Sequence, residues 1–237
     1  MKTQKWLTPP SQNFSSRLVT DLSAEIKHVC FDLDGTLINS AGTIYKSTLK
    51  TFDDLNIAYN LPEDEFNKMI GMHFVDIFNH FNIDVPDFEI FIAHYKKVYF
   101  DFIDESVLYS GVKEVLDLMR NCAYKISLLT TKAQDQTERI LEHFNLTKHF
   151  DFIMGRTNGI PHKPDPTPFF MICDHLQINP ENSLMVGDTE LDILCGKNAN
   201  AKTVVVTYGY RSIERLKEFS PDYLIDDLRE LEIILKI

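Results

Sequence analysis

Apolar and polar residues follow two different patterns along this chain, and the two patterns alternate from residue 111 onward. Short apolar runs of the kind that form buried strands are separated by stretches whose apolar residues recur at helical steps of three and four. The strand-like runs are 28–31, 125–129, 152–154, 184–186, 203–207 and 223–225. The helical stretches are 112–121, 133–144, 167–176, 191–198 and 228–235. This alternation predicts an α/β fold in which right-handed crossovers place helices on both faces of a parallel sheet.

Residues 38–108 interrupt the alternation, because they separate the first strand from the next predicted helix by far more than an ordinary crossover. Apolar residues, many of them aromatic, recur at helical spacing in 45–59, 75–81 and 88–102. We expect these side chains to form the core of a small helical bundle. The predicted organisation has three parts: an extension without an assigned role at 1–25, a core domain at 26–37 and 109–237, and a helical domain at 38–108.

The segment FDLDGTL, residues 31–37, places two acids and a glycine at the end of the first predicted strand. Side chains alternate between the two faces of a strand, so Asp32 and Asp34 point the same way. Two carboxylates held together repel each other unless a cation or a shared proton relieves the repulsion. The pair therefore favours a hard metal ion with oxygen ligands, and Mg²⁺ is the expected ion.

Other predicted strands also lead into polar groups suited to binding phosphate or metal. Thr130 and Thr131 follow one strand, Asp188 follows another with Asp192 close behind, and Lys163 lies between them in the sequence HKPDP. Each has an ordinary alternative, since Thr130 and Asp188 could cap helices and Lys163 could be a surface lysine. The carboxyl ends of parallel strands meet at one edge of an open α/β sheet. The occurrence of all these groups in this order therefore favours one shared site.

In this order, the four segments resemble the motifs of the haloacid dehalogenase superfamily. FDLDGTL is similar to its first motif, Thr130 to its second, Lys163 in KPDP to its third, and GDTELD at 187–192 to its fourth. The resemblance runs from about residue 26 to the C-terminus, and the late strands are similar to those of the phosphoglycolate phosphatase-like branch. It implies a Rossmann-like parallel sheet with an inserted small α-helical cap domain, which corresponds to 38–108.

Three positions depart from the pattern of that branch. Asn39 stands where an aspartate is usual, Thr131 where an asparagine usually follows the motif threonine, and Ser110 where a proline often precedes the glycine. None of the three replaces a catalytic group. The departures therefore bear on the identity of the substrate rather than on the reaction.

The resemblance implies a phosphomonoester hydrolase that works through an aspartyl-phosphate. Asp32 would attack phosphorus, and Asp34 would protonate the leaving group and then activate water. The carboxylates of Asp32 and Asp188 and the backbone carbonyl of Asp34 would hold magnesium. Asp192 would lie in or near the coordination shell. Lys163 would bridge the nucleophile and the phosphoryl oxygens.

Phosphate binding and substrate closure follow from the same resemblance. Thr130, Thr131 and backbone amides around Gly35 would donate hydrogen bonds to phosphoryl oxygens. The cap would close over a small phosphorylated metabolite, exclude water and select the leaving group. Its turn at 70–74 should lie nearest the substrate, since a glycine there permits close approach. His73 is either a contact to the leaving group or an exposed histidine at a helix start.

The composition of the chain restricts the classes of binding partner and the cellular compartment that we expect. The formal charge of −11 argues against a nucleic-acid backbone or an anionic membrane as a partner. No apolar run approaches the roughly 20 residues that a membrane span needs. Four well-separated cysteines without a C-x-x-C pair indicate a reducing compartment. We therefore expect a cytoplasmic enzyme that is a monomer or a homodimer and uses a small phosphorylated metabolite.

Three other functions compete with simple hydrolysis. A haloacid dehalogenase needs neither Mg²⁺ nor a second acid, so Asp34 and the segment 187–189 argue against it. A sugar phosphomutase of the β-phosphoglucomutase type shares all four motifs and differs mainly in its cap, so it stays open as an alternative. A non-catalytic binding protein on the same fold is the third, although every group that the chemistry needs is present.

Overall fold

The computed structural model describes residues 26–237, so the predicted extension 1–25 lies outside the described residues. The strands and α-helices follow in chain order: β1 (His28–Phe31), β2 (Ile38–Asn39), α1 (Ala41–Asp54), α2 (Glu63–Asn67), α3 (Phe74–His80), α4 (Phe88–Val98), β3 (Val107–Leu108), α5 (Val112–Asn121), β4 (Lys125–Ala133), α6 (Gln134–His143), β5 (Phe152–Arg156), α7 (Thr167–Leu176), β6 (Ser183–Gly187), α8 (Glu190–Asn198), β7 (Lys202–Val206), α9 (Ile213–Glu218), β8 (Tyr223–Ile225) and α10 (Glu230–Leu235). Short 3₁₀ helices lie at Tyr99–Glu105, Thr147–His149 and Pro180–Asn182.

Six strands form one parallel sheet in the order β5-β4-β1-β6-β7-β8. β1 pairs with β4 on one side and with β6 on the other, so it lies in the middle of the sheet. All residues of β1 and β6 are buried, as expected for strands that helices cover on both faces. The predicted α/β fold with a Rossmann-like parallel sheet is confirmed. The carboxyl ends of its central strands share one edge.

A buried histidine joins the three central strands. His28 on β1 has no exposed surface, and its Nδ1 and Nε2 atoms lie 2.9 Å from Ser183 Oγ and 2.8 Å from Ser127 Oγ. Burial lowers the pKa of this imidazole to about 4 and outweighs the raising effect of Asp151. The ring is therefore neutral near pH 7, and it ties β1 to β4 and β6 through hydrogen bonds.

The segment 38–108, here named the helical insertion, contains α1 to α4 and the 3₁₀ helix Tyr99–Glu105 between β2 and β3. β2 and β3 are antiparallel neighbours, so the chain enters and leaves the insertion at one place. Aromatic rings pack closely inside it, with the Phe91 ring centred 5.3 Å from that of Phe52 and 5.0 Å from that of Phe78. The helices that the aromatic pattern predicts are present, and the aromatic side chains form their core.

Some elements differ from the predicted ones. α2 and α9 have no counterpart in the predicted pattern, because each is short and buries a single side chain, Phe66 or Leu216. β4 continues beyond its predicted end at residue 129, and its register with β5 shifts between Leu129 and Ala133. The extra residues are mostly polar, so an apolar pattern could not reveal them.

All four cysteines are free thiols, and Cys30, Cys173 and Cys195 are buried, whereas Cys122 is exposed. Within residues 26–237, no helix combines the length and the apolar character that crossing a membrane requires.

Candidate active site

Two carboxylates from distant segments meet one lysine at the carboxyl edge of the sheet. Asp32 directly follows β1, and Asp192 lies in the first turn of α8. The ammonium nitrogen of Lys163 lies 2.6 Å from Asp32 Oδ1 and 2.5 Å from Asp192 Oδ1. All three side chains are almost completely buried. Folding thus brings the residues of three predicted motifs into direct contact.

Asp188, which follows β6, completes an acidic cluster with Asp32 and Asp192. One carboxylate oxygen from each residue lies within 4.8 Å of the others. The Asp188 carboxylate accepts hydrogen bonds from the backbone N–H of Tyr210 at 2.8 Å and from the hydroxyl of Thr36 at 3.4 Å. Burial raises the pKa of Asp188, and the neighbouring charges of Asp32 and Asp192 raise it further.

The cluster holds more negative than positive charge. Burial raises the pKa of Asp32 to about 7, against the lowering effect of the Lys163 ammonium. For Lys163, burial opposes the charged form, but the carboxylates of Asp192 and Asp32 outweigh it and raise the pKa. Three buried carboxylates therefore share a single ammonium group. Hard oxygen donors that lie close together, with their charge only partly offset by Lys163, fit a divalent cation such as Mg²⁺.

Asp192 also has a structural role at the start of α8. Its Oδ2 accepts hydrogen bonds from the backbone N–H of Thr189 at 3.0 Å and from the Thr189 hydroxyl at 2.7 Å. The two residues form a capping box, which fixes the side chain of Asp192. Its other oxygen contacts Lys163, so the helix cap and the position of the lysine depend on the same carboxylate.

Asp34 lies outside the acidic cluster, although it is close to Asp32 in the sequence. Its carboxylate accepts a hydrogen bond from the Ser40 hydroxyl and lies 3.2 Å from the ammonium nitrogen of Lys132. The hydroxyl of Tyr210 accepts a hydrogen bond from the Ser40 backbone N–H at 3.0 Å, which secures that contact. The Asp34 carboxyl therefore lines the cavity without joining the three carboxylates of that cluster.

Gly35 is required by the turn that follows β1. Its φ is +88°, and an added Cβ would lie 2.3 Å from Asp188 Oδ2. A side chain would strain the backbone and displace that carboxylate. The glycine lets the backbone pass close to the acidic cluster.

The two threonines at the end of β4 both line the cavity, but they differ in their contacts. The Thr130 hydroxyl accepts a hydrogen bond from the Lys132 backbone N–H at 3.2 Å, so its proton can be donated elsewhere. The Thr131 hydroxyl donates to the backbone carbonyl of Gly71 at 3.3 Å. Thr130 is thus placed as a donor toward the cavity, whereas Thr131 joins the sheet to the helical insertion.

The helical insertion closes the site from the side opposite the sheet. Its turn at 70–74 and helix α4 line the same cavity as Asp32 and Lys163, and the cavity volume is about 110 Å³. Arg211 crosses between the two parts: its Nη1 donates to the backbone carbonyls of Lys68 at 2.5 Å and Ile70 at 3.0 Å. The cavity is therefore formed jointly by the two parts of the chain.

His73 contacts the core part of the chain as well. Its Nε2 contacts Nε2 of His162, and Nη1 of Arg156 lies 2.9 Å from its Nδ1. Burial lowers the pKa of His73, and the charges of His162 and Arg156 lower it further. His73 immediately precedes α3, at a helix start as one of the two alternatives predicts. Its side chain is half-buried and lines the cavity.

Four basic residues that received no role from the sequence motifs also belong to this region: Lys132, Arg156, His162 and Arg211. The positions of three of them in the sequence could have indicated that they lie near the site. Arg156 ends β5 at the same edge of the sheet, His162 precedes Lys163, and Lys132 follows Thr131. Arg211 contacts backbone carbonyls, so no side-chain pattern marks it.

Similarity to known proteins agrees with this geometry. A family model described as haloacid dehalogenase-like hydrolase matches residues 29–206. The chain belongs to the haloacid dehalogenase-like hydrolase family. Pyrophosphatase PpaX of Bacillus mycoides is 35% identical over 214 residues, which cover 89% of this chain and 97% of the relative. Pyrophosphatase PpaX of Halalkalibacterium halodurans is 34% identical over 208 residues, with 87% and 95% covered.

Solved structures give the same family. A crystal structure of a predicted phosphoglycolate phosphatase from Haemophilus somnus matches with a TM-score of 0.76 and 27% identity, covering 89% of this chain and 98% of the other. The resemblance to haloacid dehalogenase-like hydrolases is thus confirmed from sequence and from fold. The protein is an enzyme, a phosphatase of this family.

Proposed function

We propose that this enzyme hydrolyses a small phosphorylated metabolite in a Mg²⁺-dependent reaction that passes through an aspartyl-phosphate on Asp32. One observation carries the proposal. The Asp32 carboxylate is held at the end of β1, 2.6 Å from the Lys163 ammonium and within the acidic cluster, while the Asp34 carboxyl is not part of that cluster and contacts Ser40 and Lys132 instead. A nucleophile and a separate proton donor are what two-step phosphoryl transfer requires.

The carboxylates of Asp32 and Asp188 and the backbone carbonyl of Asp34 would hold the magnesium ion, and Asp192 would add negative charge nearby. When bound, the ion supplies the positive charge that the cluster lacks and lets an anionic phosphoryl group approach the Asp32 carboxylate. Burial and then the neighbouring charges of Asp32 and Asp192 raise the pKa of Asp188, which supports this assignment because a cation would relieve both effects.

The other roles fall to groups of the chain itself. An Asp32 oxygen attacks phosphorus, and Lys163 and the Thr130 hydroxyl stabilise the charge on the phosphoryl oxygens. The Asp34 carboxyl protonates the oxygen of the leaving group, and its carboxylate then takes a proton from the water that hydrolyses the aspartyl-phosphate. Contacts to Ser40 and Lys132 hold Asp34 in place for both transfers.

The helical insertion would act as a cap domain, and 26–37 with 109–237 would form the core domain. The paired strands β2 and β3 support this division, since the chain crosses between the two parts there. Closure of the cap would exclude water from the cavity and position the substrate. The free cysteines support the expected cytoplasmic location. The monomer or homodimer stays a prediction.

Two substrates of different chemistry deserve direct comparison. Phosphoglycolate is suggested by the similar Haemophilus somnus structure, and inorganic pyrophosphate by the two PpaX relatives. The cavity volume of about 110 Å³ supports a small substrate in either case. A sugar phosphomutase would instead move a phosphoryl group between positions of a sugar bisphosphate.

The test is release of phosphate from p-nitrophenyl phosphate, phosphoglycolate and pyrophosphate, with Mg²⁺ and with excess EDTA. We expect activity only with the metal and none in Asp32→Asn. Full activity in EDTA would contradict the proposed chemistry and favour a dehalogenase. Isomerisation of a sugar phosphate that depends on added bisphosphate, without net release of phosphate, would favour the mutase.

A further inference from the structure

Three basic side chains meet beside the cavity, and their interactions with Asp76 and Asp165 are longer-range than an ion pair. His73 comes from the helical insertion, Arg156 from the end of β5, and His162 from the loop before Lys163. The rings of His73 and His162 meet edge to face, with centroids 4.1 Å apart and planes at 84°. No carboxylate of residues 26–237 lies within 4.0 Å of a basic nitrogen of Arg156 or His162.

The direction of the hydrogen bonds in this group follows from its chemistry. A guanidinium can only donate, so Nδ1 of His73 accepts from Arg156. The proton of a neutral His73 must then be on Nε2, and it is donated to Nε2 of His162. His162 in turn carries its proton on Nδ1. The lowered pKa of His73 agrees with this neutral, accepting form.

The chain of hydrogen bonds therefore ends in donors at both ends. Four further N–H groups of Arg156 and the Nδ1–H of His162 have no acceptor among residues 26–237 at hydrogen-bond distance. These donors keep some access to solvent, and an anion would accept hydrogen bonds from several of them at once. Arg156 and His73 line the cavity that holds Asp32, and His162 contacts His73 and immediately precedes Lys163.

We propose that His73, Arg156 and His162 form a subsite for a second anionic group, carried by the leaving group of the substrate. The inference rests on the proposed function and adds a substrate class: small phosphate esters or anhydrides whose leaving group bears a carboxylate or a phosphate. Arg156 binds this group through its planar fork, and the two histidines supply it with further donors. His73 comes from the helical insertion, so binding of the anion also favours the closed cavity.

The test compares substrates that differ in this one group. 2-Phosphoglycolate and 2-hydroxyethyl phosphate have nearly the same size, but only the first carries a second anion; pyrophosphate provides the phosphate version. In Arg156→Gln, we expect kcat/KM for 2-phosphoglycolate and for pyrophosphate, which carry the second anion, to fall roughly 10- to 100-fold relative to kcat/KM for 2-hydroxyethyl phosphate. Arg156→Lys should recover part of the loss, since it keeps the charge and lacks the fork.

Arg139→Gln is the matched control, because it removes the same charge from an exposed arginine that stacks on Phe100. It should leave the ratio between substrates unchanged. Binding of methylenediphosphonate, measured by calorimetry, should weaken in Arg156→Gln and persist in Asp32→Asn. A selective loss for phosphoglycolate or for pyrophosphate alone would identify which anion the subsite takes.

An equal loss on all substrates, or no loss on any, would overturn the subsite. The proposed phosphatase chemistry would then still stand, because wild-type hydrolysis of 2-hydroxyethyl phosphate and its dependence on Asp32 test that chemistry separately. Circular dichroism and thermal unfolding of Arg156→Gln establish that the variant is folded, so that a general loss is not mistaken for a failure of binding.

Discussion

The ammonium nitrogen of Lys163 lies 2.5 Å from Asp192 and 2.6 Å from Asp32, so one buried cation is shared by a helix-capping carboxylate and by the proposed nucleophile. The capping box fixes Asp192 through Thr189. Asp192 therefore competes with Asp32 for the charge of Lys163, and we expect the helix cap to influence the reactivity of the proposed nucleophile.

The first prediction concerns the negative charge of Asp192. Asp192→Asn keeps an oxygen that can accept from Thr189, but it removes the negative charge beside Lys163. Lys163 should then bind Asp32 more tightly, and activity should fall roughly 10- to 100-fold, as is usual when the support of a site is altered. Steady-state kinetics on p-nitrophenyl phosphate measure this.

Thr189→Ala provides the contrast, because it weakens the helix cap and keeps the Lys163–Asp192 contact. It should lower the free energy of unfolding by about 1 kcal/mol. If Asp192→Asn lost stability and kept full activity, the carboxylate would be a helix cap alone.

The second prediction concerns metal and stability. Mg²⁺ that binds the folded acidic cluster should stabilise it, by about 2.7 kcal/mol at a concentration 100 times its Kd. Thermal unfolding followed by circular dichroism should then shift upward by about 5–10 °C with Mg²⁺. The shift should disappear in Asp188→Asn. Without metal, that variant should be no less stable than the wild type, because it relieves repulsion among buried carboxylates.

An identical Mg²⁺ shift in the wild type and in Asp188→Asn would show that the ion binds elsewhere. Asp226→Asn, at an exposed position away from the cavity, serves as a control for the change in charge. It should keep the full shift.

The sheet and the motif residues could be predicted because the signals are local. An apolar run ends in a polar group, and the parallel topology then places Asp32, Thr130 and Asp188 at one edge of the sheet. Nothing beyond residue order and strand direction is needed for that step. The confirmed fold depends on the same local signals.

The contacts between the helical insertion and the core could not be predicted in this way. The meeting of His73 with His162 and the reach of Arg211 to Ile70 depend on how the insertion sits on the sheet edge, which no periodicity encodes. The register shift in β4 is a similar case, since it is set by pairing with β5. The missed residues are therefore those whose partners are distant in the sequence.

The third prediction concerns acid stability. His28 has a pKa of about 4 in the fold, below the value of about 6.5 for an unfolded chain, so the unfolded chain takes up the proton first as the pH falls. The contribution of neutral His28 to the free energy of unfolding is therefore fully present above pH 6.5 and is lost as the pH falls toward 4. The total loss is on the order of 3 kcal/mol. Urea unfolding between pH 7.5 and 4 measures it.

The variant for this measurement is His28→Gln, which keeps a hydrogen-bonding group toward Ser127 and cannot titrate. The free energy of unfolding should differ between wild type and variant by less at pH 4.5 than at pH 7. His80→Gln, at an exposed position, should follow the wild type throughout. Parallel curves for the wild type and His28→Gln would contradict the prediction.

The last prediction separates the two aspartates of FDLDGTL. Asp32→Asn keeps the shape and removes the nucleophile, so hydrolysis should vanish on every substrate. Asp34→Asn keeps the backbone carbonyl that would bind metal and removes proton transfer, which is typically worth about 10²–10⁴-fold in rate. An alkyl phosphate should therefore suffer more than p-nitrophenyl phosphate, whose leaving group needs little protonation. Hydrolysis of the intermediate also loses its base, so the phosphoenzyme should accumulate with p-nitrophenyl phosphate, as mass spectrometry after acid quench can detect. Equal losses for both variants on both substrates, without trapped phosphoenzyme, would mean that the two aspartates do not divide the chemistry in this way.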